Sequence, residues 1–137
     1  MNKVNLQEKF NKFHDHWHPR IAGELNGQQV KLAKFKGDFI WHKHEEEDEM
    51  FFVVKGSFRM EFRDKTVEVK ENEFLIVPKG VEHRPSAEEE VHVMLFEPAN
   101  TLHTGDQNQS FRGMTRNLYN TNIKLFAKIF NRVNFFS

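Results

Sequence analysis

Apolar positions along this chain recur mostly with a period of two, in short runs separated by turn-forming residues. Phe58, Met60 and Phe62 alternate with Arg59, Glu61 and Arg63, and Val67 and Val69 continue that pattern. Such alternation buries one face of a strand and wets the other. Val30, Leu32, Ala33 and Phe35 alternate loosely with lysines, as a half-buried strand would. Further strands are predicted over 39–44, 50–54, 74–77 and 91–96. Asn26-Gly27 is a hairpin signal, because both residues accept positive φ. Lys36-Gly37-Asp38, Lys55-Gly56-Ser57, Asp64-Lys65, Glu71-Asn72-Glu73 and Pro78-Lys79-Gly80 mark further turns, and Glu88-Glu89-Glu90 reads as a surface hairpin turn. The spacing changes to three and four only near the ends. Asn5 can cap a short helix through Leu6, Phe10 and Phe13, and Pro19 closes that segment. Many short strands about ten residues apart predict an all-β, antiparallel jelly roll, a double-stranded barrel. The expected organisation is an N-terminal helical arm over 1–20, a jelly-roll domain over 21–100 and a C-terminal basic tail over 101–137.

Composition narrows the function classes. The chain has 137 residues, enough for one domain with a single core. It has no cysteine, which excludes disulfides, thiolate metal sites and thiol nucleophiles. No run of about 18 apolar residues could span a membrane, and the N-terminus lacks the apolar stretch of a secretory signal, so a soluble, cytoplasmic protein is expected. The net charge of zero conceals a division. Residues 1–110 carry fifteen Lys or Arg against twenty Asp or Glu, a net of −5, and residues 111–137 carry five cations and no acid. An acidic body does not suit nucleic acid. No phosphate-binding loop, dinucleotide fingerprint or serine elbow is present. In the tail, Tyr119, Ile123, Phe126, Phe130 and Val133 stand at helical spacing among the cations. Three readings stay open for this stretch: an amphipathic helix on a membrane surface or acidic partner, a stripe docked on the acidic body, or a loosely ordered segment.

The chemistry is concentrated in His42, His44, Glu49 and His83. On a strand, His42 and His44 leave the same face, roughly 7 Å apart at the backbone. Their imidazoles can therefore converge on one ion at bonds of about 2.1 Å. If strands 39–44 and 49–54 pair, Glu49 looks into the same hollow, with Phe51 and Val53 on its face. Asp48 competes for that role. His83 follows the Pro78-Lys79-Gly80 turn, which aims it. Three imidazoles and one carboxylate complete a shell for one divalent transition ion, whether Zn, Fe, Mn, Ni or Co. His14, His16 and His18 also alternate, but no carboxylate closes a shell around them, and an exposed connection is the preferred reading. His92 could line the cavity or lie on the opposite face, and His103 carries no signal. Phe51, Met60, Met94 and Phe96 are candidates to line an apolar pocket. A homodimer is expected, with Phe39 and Trp41 available to cover an exposed sheet face.

These residues resemble the cupins in their small single-domain form. The first cupin motif stands here as Gly37, His42, His44, Glu49 and Gly56, with one residue fewer than usual between Gly37 and His42. The second stands as Pro78, Gly80 and His83, with Asn72 where the pattern has Gly and Ala87 where it has Asn. The resemblance covers about 30–98. It implies a six- to eight-stranded jelly roll with one metal ion near the barrel's open end. It also implies a small-molecule ligand or substrate, and reactions of dioxygenase or sugar-phosphate isomerase type. No Arg or Lys constellation for a sugar phosphate is visible, which weighs against the isomerase. The alternative is a binding module that holds a small ligand or metal without turnover.

Overall fold

The computed structural model describes residues 1–107. The amphipathic stretch anticipated near the C-terminus lies outside them. In chain order the elements are α1 (Leu6–Phe10), β1 (Arg20–Leu25), β2 (Gln28–Asp38), β3 (Glu49–Lys55), β4 (Ser57–Phe62), β5 (Thr66–Lys70), β6 (Phe74–Val77) and β7 (His83–Pro98), followed by a 3-10 turn at Gly105–Gln107. Every named strand pairing is antiparallel. One sheet runs β1-β2-β7-β3-β6, and β4 joins β5 to the other half of β7. Among the described residues no helix is long and apolar enough to cross a membrane.

Local chemistry explains most of these elements. Asn5 caps α1 by accepting from the Glu8 N–H at 3.0 Å. The β1–β2 hairpin turns on Asn26 and Gly27, with φ of 50° and 76°, the mirror-image geometry that suits the strands' twist. Two expectations need correction. Glu88–Glu90 is not a hairpin turn but an exposed stretch inside the sixteen-residue β7. It lies where that strand leaves its pairing with β4 at Ser86, opposite a register shift in β2 between Phe35 and Gly37, before it pairs with β2 again from Val91 and with β3 from His92. The segment 39–44 is not a strand either. It makes one isolated bridge, His42 to His83, and β3 pairs with β6 and β7 instead.

The core has two parts. Inside the barrel, Phe35, Phe51, Val53, Phe58, Met60, Val69, Val91, Val93 and Leu95 pack together. On the outer face of the sheet, Leu32 and Ala22 are covered by Phe10 and Phe13 of the N-terminal arm. β2 is therefore buried on both faces rather than half-buried, and Lys31 and Lys34 are buried with it. Met94 and His92 also belong to the outer face: Met94 packs on the arm's cluster and His92 stacks on Phe10 at 4.4 Å.

Candidate metal centre

His42 and His83 are brought together by backbone pairing. The His42 N–H donates to the His83 carbonyl at 3.1 Å, and the His83 N–H returns the bond at 2.9 Å. The His44 carbonyl accepts from Gly80 N–H at 2.7 Å, which ties the Pro78-Lys79-Gly80 turn to the same segment. Each of two imidazoles is then oriented through its own Nδ1: that of His42 meets the Ile40 carbonyl at 2.9 Å, and that of His83 meets Val81 at 2.8 Å. A ring nitrogen facing a carbonyl must carry its proton, so Nε2 is left as the lone-pair atom. One ligand nitrogen from each of His42, His44 and His83 lies within 4.8 Å of the others. All three side chains are buried.

Glu49, on β3, reaches His44 but lies outside the compact group of three histidine nitrogens, and it does so by a pairing other than the one expected from sequence. It is buried, and its Oε2 lies 2.9 Å from His44 Nε2. Neither atom has a hydrogen-bond partner of proper geometry, and His83 Nε2 is equally orphaned. Buried polar atoms without partners are rare and call for an explanation. The two histidine atoms belong to the cluster of three imidazoles, Glu49 Oε2 reaches it through His44, and all are lone-pair donors of the kind a divalent transition ion accepts. Two ligand atoms 2.9 Å apart also match the cis edge of an octahedron with bonds of about 2.1 Å, which is about 3.0 Å. Asp48 is placed elsewhere: it is exposed, and its Oδ1 accepts from the Lys79 N–H at 2.8 Å.

Burial sets the protonation of the cluster. It pushes His42 down to about 3, with His83 and His44 adding like charge, and His83 down to about 4. His44 is lowered for the same first reason. Imidazoles held neutral are the ligand form. Burial raises Glu49 to about 7, against the opposing pull of Lys31.

An apolar cavity adjoins the cluster. Trp17, Phe35, Phe39, Phe51, Pro85 and Leu95 line it, with His42, Glu49 and His103 at its polar side. Its volume of about 20 Å³ at water centres admits about one water. Of the pocket residues expected from sequence, only Phe51 lines it; Met60 lies deeper in the core, and Met94 and Phe96 alternate onto the outer face. Two unforeseen segments flank the cluster. Trp17 stacks on Phe35 and Phe39 at 4.5 and 4.7 Å and donates its Nε1–H to the Lys36 carbonyl. It does so at φ 65°, a left-handed backbone rare for a bulky residue. On the other side, Asp106 pairs with Lys43 through both its N–H and its carboxylate, which lays Gly105 directly over His42. Phe39 therefore belongs to the cavity, and Trp41 lies under the guanidinium groups of Arg63 and Arg84 at 3.8 and 5.4 Å. Among the described residues, the large apolar side chains left exposed are instead Leu25, Phe74 and Ile76, besides Met1. His14, His16 and His18 do not converge. His14 is exposed, His16 meets Glu90 at 2.9 Å and His18 lies near His103.

Comparison with known proteins agrees with this architecture. A cupin-2 domain protein from Shewanella frigidimarina superposes with a TM-score of 0.69 at 43% identity, covering 69% of this chain and 93% of that one. A protein from Neisseria meningitidis superposes at 0.66 with 33% identity, covering 71% and 99%. An uncharacterized Bacillus subtilis protein, YdbB, is 44% identical over 62 residues, which are 44% of this chain and 55% of that protein. This chain thus spans about half the length of that curated relative. The family model for the cupin domain matches residues 29–97, and the chain belongs to that family.

Proposed function

We propose that His42, His44, Glu49 and His83 hold one divalent transition-metal ion and that a small, largely apolar molecule is bound or transformed beside it. The observations that support this most directly are the ligand nitrogens of His42, His44 and His83 within 4.8 Å of one another and Glu49 Oε2 at 2.9 Å from His44 Nε2, with His44 Nε2, His83 Nε2 and Glu49 Oε2 all buried without hydrogen-bond partners. When bound, the ion would supply Lewis acidity or, for a redox-active metal, dioxygen chemistry. The chain's own residues do the rest. His42 and Glu49 are the two of the four that border the cavity, so a bound molecule would meet the centre on their side. The aromatic walls leave room for about one water, and among the described residues no Lys or Arg lines the cavity. A phosphorylated substrate would find no counter-charge there, so the dioxygenase-like reading is preferred to the isomerase-like one.

The second reading is a binding module without turnover. The small cavity favours it, since anything larger than about one water must displace Trp17 or His103. Elemental analysis of purified wild type beside a His42→Ala, His44→Ala double variant tests the site. About one equivalent of a first-row metal in the wild type, lost in the folded double variant, is the expected result. Equal metal in both would end the assignment. A homodimer remains part of the proposal, now through the face bearing Phe74 and Ile76 rather than Phe39 and Trp41, and light scattering at the monomer mass would remove it.

A further inference from the structure

Behind Glu49 the barrel carries a row of buried charge that the four ligand-type residues do not account for. Strand alternation places Lys31, Ala33 and Phe35 on the inner face of β2, Val91, Val93, Leu95 and Glu97 on that of β7, and Glu49, Phe51 and Val53 on that of β3. Seven of these ten are apolar. The three polar ones, Lys31, Glu97 and Glu49, sit on adjacent strands at the same end. Lys31 and Glu97 are each 1% exposed. Lys31 Nζ donates to Glu97 Oε1 at 2.6 Å and to the Thr101 carbonyl at 3.2 Å. The second oxygen of Glu97 is buried without a hydrogen bond, and the β3–β7 register, with Met50 opposite Phe96, brings Glu97 alongside Glu49.

A buried ion pair is a poor device for stability. Desolvation offsets most of its attraction, and an apolar pair of similar volume often serves the fold equally well. Neighbouring inward positions show that this barrel accepts apolar residues there. What an apolar pair could not do is brace a carboxylate.

We propose that Lys31 and Glu97 are positioning residues for the metal centre: Lys31 anchors Glu97, and Glu97 abuts Glu49 and keeps its Oε2 turned to the space shared by the imidazoles. This rests on the metal reading above and extends it to two side chains that touch no ion. Lys34 provides the internal control. It is also a buried lysine on β2, but it projects from the opposite face and donates to the Phe13 carbonyl at 2.7 Å.

The experiment titrates metal-free wild type, Lys31→Met, Glu97→Gln and Lys34→Met with Zn²⁺ against a chromophoric chelator, and records the visible spectrum of each Co²⁺ form. Electrostatics alone predicts that removing the Lys31 cation tightens Zn²⁺ binding. Positioning predicts the opposite sign, a weakening of roughly 10–100-fold, the usual cost of losing an outer support, with altered Co²⁺ bands. Lys34→Met should keep the wild-type affinity and spectrum. Tighter or unchanged binding by Lys31→Met overturns the proposal, as does an equal loss in Lys34→Met, which would report general loosening of β2. Should Lys31→Met fail to fold, the near-isosteric Glu97→Gln carries the test: a Co²⁺ spectrum and Zn²⁺ affinity identical to wild type overturn the proposal, and a weakened, shifted site supports it. A wild type that takes up neither ion defeats the metal reading itself, an outcome separate from all of these.

Discussion

The two ends of the barrel interior are different media built on the same strands. Along β7 the inward side chains are Val91, Val93, Leu95 and then Glu97; along β3, read the other way, they are Val53, Phe51 and then Glu49. One further step of alternation, about 7 Å, takes the interior from close-packed hydrocarbon to a cluster of imidazoles, carboxylates and an ammonium group. The apolar end, where Met60, Val53, Val91 and Val93 are fully buried, gains stability from excluded water. The polar end contributes less, since burying imidazoles, carboxylates and an ammonium group carries a desolvation cost that their mutual contacts must offset. Stability and site chemistry are thereby segregated by position along each strand, and substitutions at the two ends should fail differently.

The largest effect is expected at the apolar end. Met60 is 0% exposed and packs inside the barrel, so Met60→Ala should cost about 2–5 kcal/mol of stability through lost burial and a cavity. Measured by chemical denaturation of metal-free protein, that loss should come with an unchanged metal content per folded molecule. If metal is lost in proportion to stability, the two ends are not separable.

Gly105 lies at the polar end, in the loop over His42. A Cβ there would lie 2.3 Å from the Lys43 carbonyl oxygen and 3.0 Å from His42 Cδ2, and φ is +55°. Backbone must therefore move, and what it would push is the segment that carries His42 and His44. Gly105→Ala is expected to cost about 1–3 kcal/mol, the usual range for a strained backbone position. Metal affinity should fall with it, because the Lys43–Asp106 pairing that seats the loop would open. A stability loss with wild-type Zn²⁺ affinity would show that the loop merely covers the site.

How much of this was legible in the sequence depends on the range of the interactions. The Asn26-Gly27 hairpin and the Asn5 cap are local, and both are where their side-chain chemistry puts them. The convergence of the three histidines was legible because spacing carries it: His42 and His44 are two apart, and His83 comes just after a Pro-x-Gly turn. The strand over 39–44 was misread because Phe39 and Trp41 alternate like strand residues, yet their burial comes from Trp17 on one side and Arg63 and Arg84 on the other. Lys31 was misread as a solvated position because a lysine between apolar residues usually is one; only its partner 66 positions away reverses that. His103 and Gly105 left no local pattern at all, since their role follows from a loop folding back onto Lys43.

The smallest effect separates two adjacent carboxylates that the sequence alone could not rank. Asp48 and Glu49 both precede the β3 apolar run, and either could have supplied the fourth ligand, an oxygen. Their surroundings now differ in kind. Asp48 is exposed and accepts the Lys79 N–H at 2.8 Å, a local bond that steadies the turn before His83. Glu49 is buried with Oε2 2.9 Å from His44 Nε2. Asp48→Asn keeps an oxygen for the Lys79 N–H, so its stability cost should stay below about 1 kcal/mol and its Zn²⁺ affinity within about twofold of wild type, a difference of about 0.4 kcal/mol. Glu49→Gln replaces an anionic donor in a dry site with a weak neutral one, and its affinity should drop at least tenfold, about 1.4 kcal/mol. If calorimetric titration finds the larger loss in Asp48→Asn, the ligand oxygen comes from the solvent side of the strand and the hollow behind Glu49 is not the metal's. The ordering of these two variants therefore tests the comparison between wet and buried carboxylates more sharply than either magnitude does.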